Sequence, residues 1–186
     1  MGDPTRPIPP AGPVPGGNTM PGASGTPAPL TPDEYEKLRM SLKRINLKAQ
    51  RVQDSTSQEM KLRALSLRFM SFVDLVGSFR TNQGPDRGNV DREWRNCKRF
   101  EIAAVRGHLR RPETQSSEIA AVAQVELKAI MATVGKLDTE MTGNNWGIVA
   151  QQLCPDLEGQ IDDAIQECRR VTERELLEIF TISENL

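Results

Sequence analysis

A chain of 186 residues with thirteen prolines, fourteen glycines and eight aromatic residues has room for one domain and a tail, with a core built mainly of Leu, Ile, Val, Ala and Met. That composition argues against a sandwich of sheets, and a formal net charge of −1 makes the whole chain neither polycation nor polyanion. The charge is segregated, however: residues 32–112 hold 18 Lys and Arg against 10 Asp and Glu, a net of +8, whereas residues 113–186 hold 5 against 14, a net of −9. Such a division suits a polyanion partner, head-to-tail attraction between copies, or two halves facing each other in one fold.

Residues 1–31 read as a flexible, extended arm. Through Pro32 there are ten prolines and six glycines and hardly a large apolar side chain, too little to offset the entropy of ordering. Pro7, Pro10 and Pro13 have overlapping PxxP spacings, which Pro-rich termini produce by chance, so a solvated tail is the reading, and an arm that orders on a neighbouring subunit or a partner is the alternative. Residues 32–186 form the helical domain, with a basic half at 32–112 and an acidic half at 113–186.

The first helix starts at Thr31 or Asp33, because Thr31, Pro32 and Glu34 make a capping box with proline at the first helical position. Tyr35, Leu38, Leu42, Ile45, Ala49 and Val52 hold a heptad seam, and fraying is expected at 54–57. The second helix, from about Ser57, carries the most apolar stretch: Leu62, Leu65, Phe69, Phe72, Val76 and Phe79 fall on one seam, broadened by Leu67, Met70 and Val73. Arg63, Arg68 and Asp74 make it too polar to span a bilayer, so no membrane partner is expected. Turn formers fill 81–89.

A third helix spans about Asp91 to Arg111, with Trp94, Cys97, Ala104, Val105 and Leu109 inward and Glu101 an awkward guest among them. A fourth runs from Glu113 or Ser117 to about Met141. A short turn from Trp146 to Leu153 precedes Pro155, which is expected to open a fifth helix over Asp156 to about Ile182. No stretch alternates with period two, so the fold class is all-α, an antiparallel bundle of about five helices behind a Pro/Gly-rich arm.

No catalytic, cofactor or metal site is expected. The single histidine, His108, lies among Arg106, Arg110 and Arg111 and reads as solvated, with no sequence-placed nucleophile beside it. Cys97, Cys154 and Cys168 are odd in number and contain no close ligand pair, which reads as free thiols in a reducing compartment. No signal peptide is evident, so the location expected is intracellular, cytoplasmic or inside a virion-like assembly. Glycine-rich phosphate loops are absent from the sequence.

The strongest polar pattern lies on the third helix. At 100° per residue, Arg92, Arg95, Arg99, Arg106 and Arg110 fall within an arc of about 60° along roughly 27 Å, opposite Trp94 and Cys97. A row of guanidiniums matches a row of phosphates, since each binds two oxygens in its plane and stays charged. Lys48 and Arg51, in a second ridge with Lys37 and Arg44, are weaker candidates. No aromatic residue interleaves with the arginines, so contact would be to a nucleic-acid backbone and not to sequence. The competing account is that the acidic last helix neutralises this stripe within one molecule, or that the stripe is simply solvated. Trp146, on a connector, either plugs the bundle or anchors an interface.

The function expected is non-enzymatic assembly: a self-associating, homo-oligomeric coat or nucleocapsid-like subunit that binds RNA or DNA backbone. The alternative is a cytosolic scaffold or adaptor that binds a partner protein helix through its heptad faces.

Overall fold

The structure, a computed structural model, describes residues 28–78, 87–110, 122–143 and 146–186, with Gly12 and Gly25. The rest of the expected arm, the turn at 81–86, Phe79, Pro112 and the expected start of the fourth helix at 113–121 lie outside the described residues.

Among the described residues all regular structure is helical: α1 is Pro32–Ser78, α2 is Arg87–Glu101, a π turn comes next at Ile102–Arg106, α3 is the closing turn Gly107–Leu109, α4 is Gln124–Glu140 and α5 is Trp146–Glu184. The capping box forms: the Thr31 amide donates to Glu34 Oε2 at 2.8 Å and the Glu34 amide to Thr31 Oγ1 at 3.3 Å. The first of these hydrogen bonds holds the Glu34 carboxyl below its usual range.

The break expected at 54–57 does not occur; α1 is one helix of 47 residues, about 70 Å long. No Gly or Pro lies between Gln53 and Ser57, and the hydroxyls of Ser55 and Thr56 both donate back to the Val52 carbonyl, at 3.0 and 2.8 Å. The two apolar seams are two faces of the same rod. The buried stripe passes from one to the other through Ser55 and Gln58, polar residues that a search for apolar periodicity skips. One face pairs with α5; the other, Leu62, Leu65, Phe69, Phe72 and Val76, fills the bundle core. Proline at exposed Thr56 is therefore expected to lower stability by about 3 kcal/mol or more, read by thermal or urea unfolding. A loss under about 1 kcal/mol would show a natural break there.

α1 and α5 run antiparallel. Gln151 Nε2 donates to the Val76 carbonyl at 3.4 Å, Arg169 Nε to Glu59 at 2.9 Å, the Ser55 and Thr172 hydroxyls meet at 2.7 Å, and Lys48 Nζ donates to Glu175 at 3.1 Å. α2 and α4 pack on the inner face of this pair, where Phe72 lies 5.0 Å from the Trp94 ring and 6.0 Å from Phe69, centroid to centroid. Beyond the body, residues 32–54 of α1 and 173–186 of α5 continue as a two-helix stalk.

Two further boundaries differ from expectation. Pro155 lies inside α5 instead of opening it. Its ring is exposed, and the burial of Trp146, Ala150 and Cys154 on the preceding turns outweighs the one helical hydrogen bond that proline forgoes. Ala123 is left-handed, at φ 57°, so α4 begins only at Gln124 and no helix runs through 123 from further upstream.

Candidate nucleic-acid interface

The candidate surface is the outer face of α2. Two neighbours fix its orientation. From α4, Asp138 accepts from the Trp94 indole at 3.1 Å and from Lys98 Nζ at 2.8 Å. From α1, the Arg68 guanidinium stands 5.3 Å over the Phe100 ring, and its backbone carbonyl accepts from the Cys97 thiol at 3.3 Å. Between these borders Arg92, Arg95 and Arg99 are exposed, within an arc of about 60° and along roughly 10 Å of helix.

The row does not continue in line through Arg106 and Arg110. The Gly107 amide donates to the Ile102 carbonyl, the i to i+5 bond of a π turn, and one extra residue in that turn rotates the side chains beyond it by about 100° relative to an unbroken α-helix. Residue 107 is a glycine where a Cβ would stand 3.1 Å from that carbonyl. The π turn also explains Glu101. Its carboxylate, 1% exposed, accepts from Arg106 Nε at 3.0 and 3.1 Å, a pairing of residues five apart that stack across such a turn. The turn sends both Ala104 and Val105 into the core, and Gln58 Nε2 of α1 donates to the Ala104 carbonyl. Arg106 is thus a structural partner of Glu101. Arg110 is exposed at the far end of the segment.

The second ridge of candidate cations is engaged within the fold. Lys48 donates to Glu175 and to Glu178, and Arg51 Nε lies 3.5 Å from Glu175, so their charge is shared with α5. Hydrogen bonding to Glu178 holds the Lys48 ammonium above its usual value, and the same bond holds Glu178 below its own. The acidic last helix therefore neutralises α1. Among the described residues no ion pair joins α5 to Arg92, Arg95, Arg99, Arg106 or Arg110. Arg92 Nε is 3.7 Å from its neighbour Glu93, and Arg95 Nε donates to the Asp91 carbonyl at 3.2 Å.

Trp146 is buried in the first turn of α5, with the Arg87 guanidinium 4.5 Å above its ring, and it plugs the end of the bundle. Arg87 also donates to the Met141 carbonyl at the end of α4. His108 is buried, not solvated. The three cysteines are buried, and burial pushes each thiol up to about 12, so they stay protonated and unreactive near neutral pH. Arg68, a cation at the edge of the candidate surface, was not legible in the sequence because only the packing of α1 on α2 brings it there.

Asp138 gives this region a pH dependence. Hydrogen bonding from Lys98, then from Trp94, holds its carboxyl below the ordinary 3.8. A carboxyl lowered in the folded state adds stability above that ordinary value and loses it as pH falls through the folded one. Asp138→Asn is expected to lower stability at pH 7 by about 1 kcal/mol and to flatten the acid limb of the unfolding profile below pH 3.8. An acid limb identical to the parent's would show that the contact is not made in solution.

No described helix is long and apolar enough to cross a membrane. No protein-family description matches the chain, and comparisons with curated proteins and with solved structures likewise gave no match.

Proposed function

We propose that this protein is a non-enzymatic assembly subunit that holds a nucleic-acid backbone, without reading its sequence, on the outer face of α2. The observation that carries this reading is that Arg92, Arg95 and Arg99 project outward together, while Glu175, Glu178 and Asp138 of the acidic half are engaged at Lys48, Arg51 and Lys98. Arg110 extends the cationic surface and Arg68 borders it. Guanidiniums grip phosphate oxygens through planar forks, and release of condensed counterions drives the association. The test is fluorescence anisotropy of a labelled oligonucleotide of arbitrary sequence at about 50 and 200 mM salt. Tight binding at low salt that weakens steeply supports the proposal; no binding at the lower salt overturns it.

A second reading, a scaffold that docks a partner protein helix, draws on the apolar residues that the stalk leaves exposed, among them Tyr35 and Leu42. Under that reading arginine substitutions on α2 leave partner binding intact, whereas Leu42→Asp releases it.

A further inference from the structure

The stalk is sided. Leu38, Ile45 and Val52 of α1 are half-buried against Thr172, Ile179 and Ile182 of α5. In an antiparallel pair, positions four residues after the seam line up on one side of both helices. On that side stand Tyr35, Leu42 and Ala49 of α1 and Leu176 of α5, with Phe180 one turn further along. Tyr35 is 61% exposed, Leu42 48%, Leu176 49% and Phe180 67%. The opposite, charged side carries Lys37, Arg44 and Arg51 beside Glu178, with Met40 and Leu47 also exposed there. The core positions of α1, Leu62 and Leu65 onward, are rotated toward this charged side, so α2 and α4 lie there and the apolar side faces away from the body.

We infer that the apolar side of the stalk docks a second copy of this chain, α1 of one copy against α5 of the other, closing the two stalks into a four-helix bundle. Charge selects this pairing. Lys48 and Arg51 are already paired with Glu175 and Glu178, but exposed Arg39 and Lys43 flank the apolar stripe of α1, and exposed Glu173 and Glu184 flank that of α5. A two-fold axis along the stalk sets each basic helix between two acidic ones; the alternative, α1 against α1, brings like charges together. The area is that of a weak association: over the fourteen residues in which α5 lies beside α1, two helix faces at 1.5 Å rise and about 10 Å width give roughly 420 Å² per copy, or about 840 Å² in total. Exposed Met60, Leu67 and Met70 extend the apolar side of α1 along the body. The arm before the stalk supplies no helical apolar stripe to cover this face itself.

The inference deepens the assembly reading by naming the partner and rests on it for its purpose, but the association is measured without nucleic acid. Sedimentation equilibrium of the full chain from about 1 to 100 µM is expected to show dimers, and Leu42→Glu with Phe180→Glu is expected to raise the dimer Kd at least about 100-fold with an unchanged helical circular-dichroism spectrum. Chains carrying Ala49→Cys mixed with chains carrying Leu176→Cys are expected to cross-link under oxidation, and Ala49→Cys alone is not. A monomer at the highest concentration overturns the inference and leaves the face to another protein. A dimer that survives both glutamates, or Ala49→Cys cross-linking with itself, overturns it too. Arg95→Glu with Arg99→Glu is expected to leave the dimer intact. Loss of oligonucleotide binding in that variant beside a monomeric parent therefore removes the stalk inference alone, and a dimer that ignores oligonucleotide removes the backbone reading alone.

Discussion

Arg95→Glu combined with Arg99→Glu is expected to weaken binding to an arbitrary single-stranded oligonucleotide by roughly 100-fold at 50 mM salt, because two phosphate contacts become two repulsions. With Arg92, Arg95, Arg99 and Arg110 each neutralising one phosphate, the parent affinity should fall about 50-fold between 50 and 200 mM salt, and the variant should show about half that logarithmic slope. All four side chains are exposed, so the variant should melt with the parent. Arg106→Gln is the informative control. Its guanidinium is committed to Glu101, so affinity should change less than about threefold, while stability should fall by roughly 2–3 kcal/mol because a buried carboxylate loses its partner. Unchanged binding in the double variant would remove α2 as the contact surface. A large affinity loss in Arg106→Gln at unchanged stability would restore the unbroken five-arginine row and contradict the π turn.

Phe72→Ala is expected to cost about 3–5 kcal/mol, a large part of the marginal stability of a domain, and to lower the melting temperature by roughly 10 °C. Phe72 is fully buried and packs on both Phe69 and Trp94, so truncation leaves a void that rigid neighbours on α1 and α2 cannot fill. Leu42→Ala, on the same helix and equally apolar, should change monomer stability by less than about 0.5 kcal/mol, since Leu42 is exposed on the stalk. Chemical unfolding at low micromolar concentration measures both. Equal costs would mean that the stalk seam is part of the monomer core.

The local rules of the chain are legible in its sequence. The all-α class comes from apolar spacing of three and four, the start of α1 from Thr31 and Glu34, and the core stripe of Leu62, Leu65, Phe69, Phe72 and Val76 from its own periodicity, because each depends on residues within a turn or two of one another. The outward placement of Arg92, Arg95 and Arg99 comes in the same way from the inward placement of Trp94 and Cys97.

Features that span several turns, or join two helices, were decided by tertiary structure. The continuity of α1 past Asp54 depends on Ser55 meeting Thr172 and on Gln58 reaching the Ala104 carbonyl, polar contacts with no period of their own. Pro155 stays inside α5 because burial on the flanking turns outweighs a local propensity. The departure of Arg106 from the arginine row needs a π turn, an extra residue that a fixed 100° step cannot represent, and that turn holds only because a carboxylate, a guanidinium and an amide from two helices converge on it. Periodicity reports which face of a helix is dry; which neighbour dries it, and whether the phase survives to the next turn, depends on partners distant in the chain.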